Sequence, residues 1–319
     1  MFWTKNEDPR PCGVNLDELM IALSATTLKV NQKGNSLVVK HTKLRTIVQV
    51  DKPGNIESED ESIKAIVTIK TYLPKEIFSL LPTPESTVAM NAMVTTGALT
   101  VEKGKLFIGS RLTIYEKEDA WRSLHFPLLL FATIGNAESL LGAMRIVFTD
   151  SEPEVITPLK SDSDWIDEDL YQVERNLSTI CVCTAEHQGL TAEFGLRDGE
   201  VSAANGDHRT ALWQLRTDEP HPIMGGGLFC LLQMPHQIDD ESKLNRIIIL
   251  LNQMEMELHD LPPHFGAWCV GRMGGNLAYN SFLSNSFHSV NGIALHFSIW
   301  ANARAQWANA MLASIGVSA

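Results

Sequence analysis

His259 and His264, in the segment HDLPPH with Asp260 beside the first, are the residues whose types and spacing come nearest to a metal site. Zinc asks for four ligands in a closed site. Here the paired prolines Pro262 and Pro263 mark a rigid loop and no third and fourth ligand stands nearby, so no metal is expected. The five cysteines Cys12, Cys181, Cys183, Cys230 and Cys269 are odd in number and scattered, with no CxxC pair. Cys181 and Cys183 alternate around Val182 as strand residues do, and two ligands on one strand do not make a tetrahedral site. Free thiols in a reducing compartment explain them best.

Covalent catalysis needs a serine or cysteine on a strained turn with a base in reach, and the chain has no GxSxG elbow. It has no GxxxxGK[ST] loop for phosphates, and Gly225, Gly226 and Gly227 lead into a strand, where they read as a flexible entry. His125 and His296 each stand near the start of a closing helix. An imidazole there is expected to pack against the neighbouring hairpin and bond a loop carbonyl. These residues together predict no catalytic residue, no metal and no cofactor; the chain is expected not to be an enzyme.

The elements that carry these residues come in two sets. The length of 319 residues predicts two domains, and 44% hydrophobic with 20% charged residues is a globular composition. No apolar run is long enough for a membrane span, and the polar opening MFWTKNEDPRPCG lacks a secretory pattern. A cytoplasmic location is expected. A net charge of −12 repels phosphate backbones, so nucleic acid is an unexpected partner.

Self-similarity organises the chain. Leu124, His125 and Phe126 recur 171 residues later as Leu295, His296 and Phe297. At the same offset Ala132 meets Ala303, Ala137 meets Ala308, Leu141 meets Leu312, Leu106 meets Leu277, Ser110 meets Ser281 and Leu112 meets Leu283. Hydrophobic alternation predicts strands over 36–40, 45–50 and 63–73, a helix from Thr83 as cap to about Thr96, a hairpin over 99–114 and a helix from Ser123. The second half repeats the plan with strands over 190–196, 210–217 and 227–234. A helix capped by Asp239 or Asp240 follows, with the stripe Leu244, Ile247, Ile248, Leu251, Met254 and Leu258. A hairpin over 267–283 and a helix from about Asn291, with Phe297, Trp300, Trp307 and Met311 along one side, complete it. The expected fold class is therefore α+β, two tandem copies of an antiparallel-sheet module (helix, three strands, helix, hairpin, helix) forming a pseudo-dimer. The modules cover 14–149 and 170–319, joined by an acidic, proline-containing linker over 150–169; a second acidic run, Glu57 to Glu61, reads as an exposed hairpin loop.

A helix bearing an asparagine (Asn91 in MNAM, Asn252 in LNQM), then a hairpin, then a long closing helix, resembles the fold of type III secretion chaperones and is similar to the YbjN family of cytoplasmic bacterial proteins. The resemblance spans most of both halves and rests on order and spacing. It implies an acidic, non-enzymatic protein that binds other polypeptides, and a fused pair that replaces a dimer with a monomeric pseudo-dimer.

One strand points to a binding surface. In GLFCLLQM (227–234) both faces are apolar, with Leu228, Cys230 and Leu232 on one and Phe229 and Leu231 on the other. Helices cover only one face of such a sheet. Phe229 and Leu231, extended by Trp213 and Leu215 on the preceding strand, are therefore the candidate domain-interface or protein-binding residues. The partner is an unnamed polypeptide. The alternative function is a small-molecule sensor or enzyme with its site in the cleft between the halves.

Overall fold

The computed structural model describes residues 16–24, 28–34, 36–41, 44–51, 63–79, 81, 83–92, 94, 96–115, 126–149, 162–197, 209–221, 224–258, 262–271 and 275–317. Among them the chain is α+β, with two six-stranded antiparallel sheets and seven helices. The first half runs through α1 (Leu16–Ser24), β1 (Lys29–Lys33), β2 (Ser36–His41), β3 (Leu44–Asp51), β4 (Ile63–Tyr72), α2 (Lys75–Phe78) and α3 (Pro84–Asn91). The hairpin β5 (Ala98–Glu102) and β6 (Lys105–Tyr115) and the closing helix α4 (Phe126–Thr149) complete it. The second half runs through α5 (Asp167–Leu177), β7 (Val182–Glu186), β8 (Gly189–Gly195), β9 (Thr210–Arg216) and β10 (Gly227–Gln237). Then come α6 (Glu241–Glu257), β11 (Gly266–Val270), β12 (Asn276–Ser284) and α7 (Ile293–Ser314). The sheets read β1-β2-β3-β4-β6-β5 and β7-β8-β9-β10-β12-β11, one order in both halves.

Each sheet has four strands before its central helix where alternation predicted three. The additional strands, β1 and β7, are outer edges that pair on one side only. An edge strand need not bury an apolar face: β1 reads KVNQK and is mostly exposed, and Val182 of β7 is open to solvent. β1 offers a single half-buried apolar residue, Val30, whereas β7 alternates, with Cys183 and Ala185 half-buried against the core and the residues between them exposed.

The residues that repeat at 171 positions occupy matching places. Phe126 and Phe297, Ala137 and Ala308, Leu141 and Leu312, Leu106 and Leu277, and Leu112 and Leu283 are all buried. Leu124, His125 and Ser123 lie outside the described residues, as do 57–61 and 150–161. Pro127 falls in the first turn of α4, where its missing N–H breaks no helical bond. Asp240 caps α6 by accepting the Lys243 N–H at 3.0 Å. Leu244, Ile247, Ile248 and Leu251 are buried as the stripe requires, but Leu258 is exposed because α6 ends at Glu257. Thr83 precedes Pro84 without capping α3; its hydroxyl lies 3.3 Å from the Ser86 hydroxyl.

The end of the expected linker belongs to the second half. Trp165 is buried in its core, and Asp167, Glu168 and Asp169 form the first turn of α5, where acids meet the positive end of the helix. The Asp169 carboxylate accepts the Ile166 N–H at 3.0 Å. Gly226 is a close-approach site and not a flexible entry, since a Cβ there would strike the Asp162 backbone.

A shared hydrogen-bond device fixes the hairpin on the central helix in each half. Asn91 Nδ2 donates to the Leu99 carbonyl at 3.2 Å while its Oδ1 accepts the Leu99 N–H at 2.7 Å. Asn252 does the same to Trp268, with both bonds at 2.9 Å. Only a primary amide offers a donor and an acceptor side by side to one residue's backbone. The strand register agrees: Leu99 faces Ile108 and Trp268 faces Tyr279, so Gly109 corresponds to Asn280 and Arg111 to Phe282. Asn91→Ala and Asn252→Ala each strip two bonds from a buried backbone. Each is expected to cost about 2–4 kcal/mol, read as a lower urea midpoint at unchanged slope; a loss near zero at both positions would refute the bracket as a fold determinant.

Candidate functional site

The charged side chains that the fold gathers in its interior lie where the halves meet. There α3 packs on α6 and β11, α6 packs on β5 and β6, and β5 meets β11. The segment before β11 crosses to the first sheet: the His264 N–H donates to the Arg111 carbonyl at 2.8 Å, and the Arg111 N–H returns to the His264 carbonyl at 3.4 Å.

Around this bridge a polar cluster is closed from solvent. Glu255 on α6 accepts Arg304 Nε from α7 at 2.5 Å and Nη2 at 3.1 Å, and Trp268 Nε1 from β11 at 3.1 Å. His264 Nδ1 stands 3.5 Å from Glu255 Oε2 and 3.4 Å from the Tyr279 hydroxyl. The Arg304 guanidinium lies 4.1 Å from the Tyr279 ring centre. From the first half, Arg111 reaches over with Nε on the Glu255 carbonyl at 2.8 Å and Nη2 on the Pro262 carbonyl at 3.1 Å. Arg111, Glu255 and His264 are 0% exposed and Arg304 is 4% exposed, so none of their charged atoms is offered to a substrate from outside.

The electrostatics follow from that burial. Desolvation pushes the Glu255 carboxyl up, but Arg304 and His264 outweigh it and hold the group below the ordinary carboxylate range. Desolvation keeps the His264 imidazole below its usual value and outweighs the pull of Glu255. Arg304 stays charged because Glu255 more than offsets its own desolvation. At neutral pH this is an ion pair with a neutral imidazole beside it. Nε2 of His264 has no hydrogen-bond partner among the described residues.

The predicted site residues divide between the two sheet faces. Trp213 and Leu215 do not extend the Phe229 surface: register sets them opposite Leu232 and Cys230, on the face covered by helices. Both are buried in the main core, and Trp213 Nε1 donates to Ser298 on α7 at 2.9 Å. Leu231 is buried on the other face with Cys269 and Ala278, and Phe229 packs half-buried against them. His264 enters the cluster as a partner of Glu255, and His259 and Asp260 lie outside the described residues. His296 is exposed, its ring 6.0 Å from Trp300, and does not pack under the hairpin as expected. Among the described residues no three His, Cys, Asp or Glu side chains are placed to hold a metal ion. Burial raises both half-buried thiols, Cys183 to about 12. No described helix is long and apolar enough to cross a membrane.

Glu255, Arg304 and Arg111 went unremarked in the sequence, although two of them left a trace. Glu255 follows Leu251 by four residues on the buried stripe of α6, and Arg304 falls between Phe297, Ala301 and Ala308 on the buried side of α7. One acid and one base, each interrupting an apolar stripe, form a complementary pair. No family model, curated protein or solved structure matches the chain.

Two outcomes follow from the cluster. Arg304→Met leaves a buried carboxylate without its countercharge and is expected to cost about 3–5 kcal/mol. Adding Glu255→Gln restores part of the loss, since an amide still accepts the indole N–H; denaturant titration of the pair measures both. The second outcome concerns pH. The folded values of His264 and Glu255 lie below their unfolded values of 6.5 and 4.5, so the unfolded chain binds protons first as pH falls. The stability due to a neutral His264 is complete above 6.5 and declines below it, and Glu255 adds to the decline below 4.5. Unfolding free energy should therefore drop from pH 7 to 5, with a shallower slope in His264→Gln; parallel curves would show that His264 does not contribute.

Proposed function

We propose that the chain is a tandem pair of one module, folded as a monomeric pseudo-dimer, that works as a non-enzymatic protein-binding or chaperone-like scaffold. The duplication is supported by the common strand order and by the two asparagine brackets. The likeness to type III secretion chaperones and YbjN proteins is one of element order. A cytoplasmic setting accords with the free thiols of Cys181, Cys183, Cys230 and Cys269.

The observation that carries the binding role is the outer face of the second sheet. On that face Phe229 of β10 and Leu212 of β9 stand half-exposed among Gln214, Gln233 and Arg216. An apolar centre beside the Gln214 amide, with Arg216 turned to Asp218 at 2.9 and 2.7 Å, suits a polypeptide, which brings both side-chain area and backbone groups. The ionisable cluster at the junction, by contrast, is sealed and spent on internal partners.

A photo-crosslinking residue in place of Gln214, in the full-length chain in cells, tests the reading. Polypeptide adducts are expected there, absent from the same residue in place of Lys29 on β1 and abolished by Phe229→Asp. Equal labelling at both positions, or adducts indifferent to Phe229→Asp, would sink it. Among the described residues, the unpartnered Nε2 of His264 favours a small-molecule site in the cleft. A thermal shift of several degrees with a small molecule, lost in His264→Gln, would decide for that alternative.

A further inference from the structure

The junction has the layout of a two-fold dimer interface, with α3 on α6, α3 on β11 and α6 on β5, yet the residues at corresponding positions differ in a complementary way. At the first such position the first half has Gly109 and the second Asn280. A Cβ on Gly109 would stand 2.8 Å from the terminal methyl of Met256, so the absent side chain makes room for a methionine from the second half. Asn280 fills its own position, and its Nδ2 donates at 2.8 Å to the Ala92 carbonyl of the first half. At the second position the first half has Arg111, bonded to the carbonyls of Glu255 and Pro262. The second has Phe282, buried with its ring 5.3 Å from His221. The segment that supplies Pro262 runs from Leu258 to Phe265, whereas the corresponding stretch of the first half, Val94 to Gly97, is shorter in sequence.

We propose that these substitutions make the junction heterotypic: a first module fits a second module and neither fits its own kind. This rests on reading the chain as a pseudo-dimer and adds a rule of partner choice to it. In a pair of second modules, Asn280 would occupy the volume Met256 takes beside Gly109, and Phe282 would face the carbonyls of Glu255 and Pro262 without a donor. In a pair of first modules, Arg111 would be buried without the Pro262 carbonyl, and two glycines would leave the methionine sites empty. Each like pair loses hydrogen bonds from buried groups and gains a clash or a void. A fused duplication descended from a self-pairing module would, without such changes, sort freely into like pairs and larger chains. With them, each half accepts only the other, and the tether supplies that half at high local concentration.

The full-length protein with a protease site placed between residues 151 and 160, cut after folding, tests this. Unlabelled and isotope-labelled samples are cut, mixed, taken into urea and back, and weighed by native mass spectrometry. Unlike pairs with scrambled labels are expected, with like pairs about 100-fold rarer. Like pairs amounting to about half of all complexes, the statistical share for sorting without preference, would overturn the rule. In a second arm, Gly109→Asn with Arg111→Phe gives the first half the residues of the second. The cut variant should then hold its halves about 100-fold more weakly than the cut parent; unchanged affinity overturns the proposal. If the cut parent itself falls into free halves, the pseudo-dimer reading fails first, an outcome distinct from like pairing.

Discussion

A strand edge left half-covered draws the two halves of this chain together. β5 accompanies β6 from Glu102 opposite Lys105 to Ala98 opposite Gly109, and β6 then runs on to Tyr115. Beyond Gly109 the outer edge of β6 would present an N–H and a carbonyl in a region where Arg111 and Thr113 are buried. Unpaired backbone in such a place is costly. His264 closes it from the other half through a pair of backbone bonds. Once that bridge is made, Glu255 and Pro262 are within reach of the Arg111 side chain, and α6 comes to rest on the first sheet. The main apolar core then includes buried residues from both halves, from Leu19 to Val317.

The two halves use the same scaffold with different interior chemistry. In the first, Val94, Leu99 and Ile108 share one apolar cluster, and Thr133 bonds Ser110 at 3.0 Å. In the second, Trp268 and Tyr279 take the places of Leu99 and Ile108, and Arg304 stands at the 171-residue offset from Thr133. A buried ion pair rarely adds stability over well-packed apolar groups; what it adds is a demand for particular partners in a particular geometry. Here the demand is met by residues of four elements, α6, α7, β11 and the segment before it, and by Arg111 from outside the half. An apolar replacement would tolerate sliding of α6 over β11. A carboxylate held by a guanidinium and an indole N–H does not.

What the sequence revealed, and what it hid, follows from the range of each signal. The stripe of α6, the doubly apolar β10 and the repeated Phe126 and Phe297 are local or periodic, and each marks an element that the structure contains. The edge strand β1 was illegible because it half-buries one apolar side chain, Val30, and β7 showed only as the alternation of Cys181, Val182 and Cys183. Trp213 and Leu215 looked like an extension of the Phe229 surface because side chains on a neighbouring strand can be assigned to a face only once the register is known, and a shift of one residue reverses the answer. Arg111, Glu255 and Arg304 are far apart in sequence, and only the positions of Glu255 and Arg304 on otherwise apolar helix faces hinted at burial. Nothing in the sequence says that a guanidinium on β6 will meet a carbonyl 144 residues away.

The outer sheet faces differ in what the junction covers. On the first sheet, Ile66, Thr68 and Arg111 lie across neighbouring strands and are all buried, the last beneath the segment that carries Pro262. On the second, the positions matching Thr68 and Arg111 hold Phe229 and Phe282, and Phe229 remains half-exposed. Elsewhere both outer faces stay partly open, since on the first sheet Arg45 and Gln49 of β3 are exposed and Ile47 and Tyr72 only half-buried. What separates the two faces is the bridge itself: Arg111 needs the carbonyls of Glu255 and Pro262, and the phenylalanine at the matching position makes no such demand.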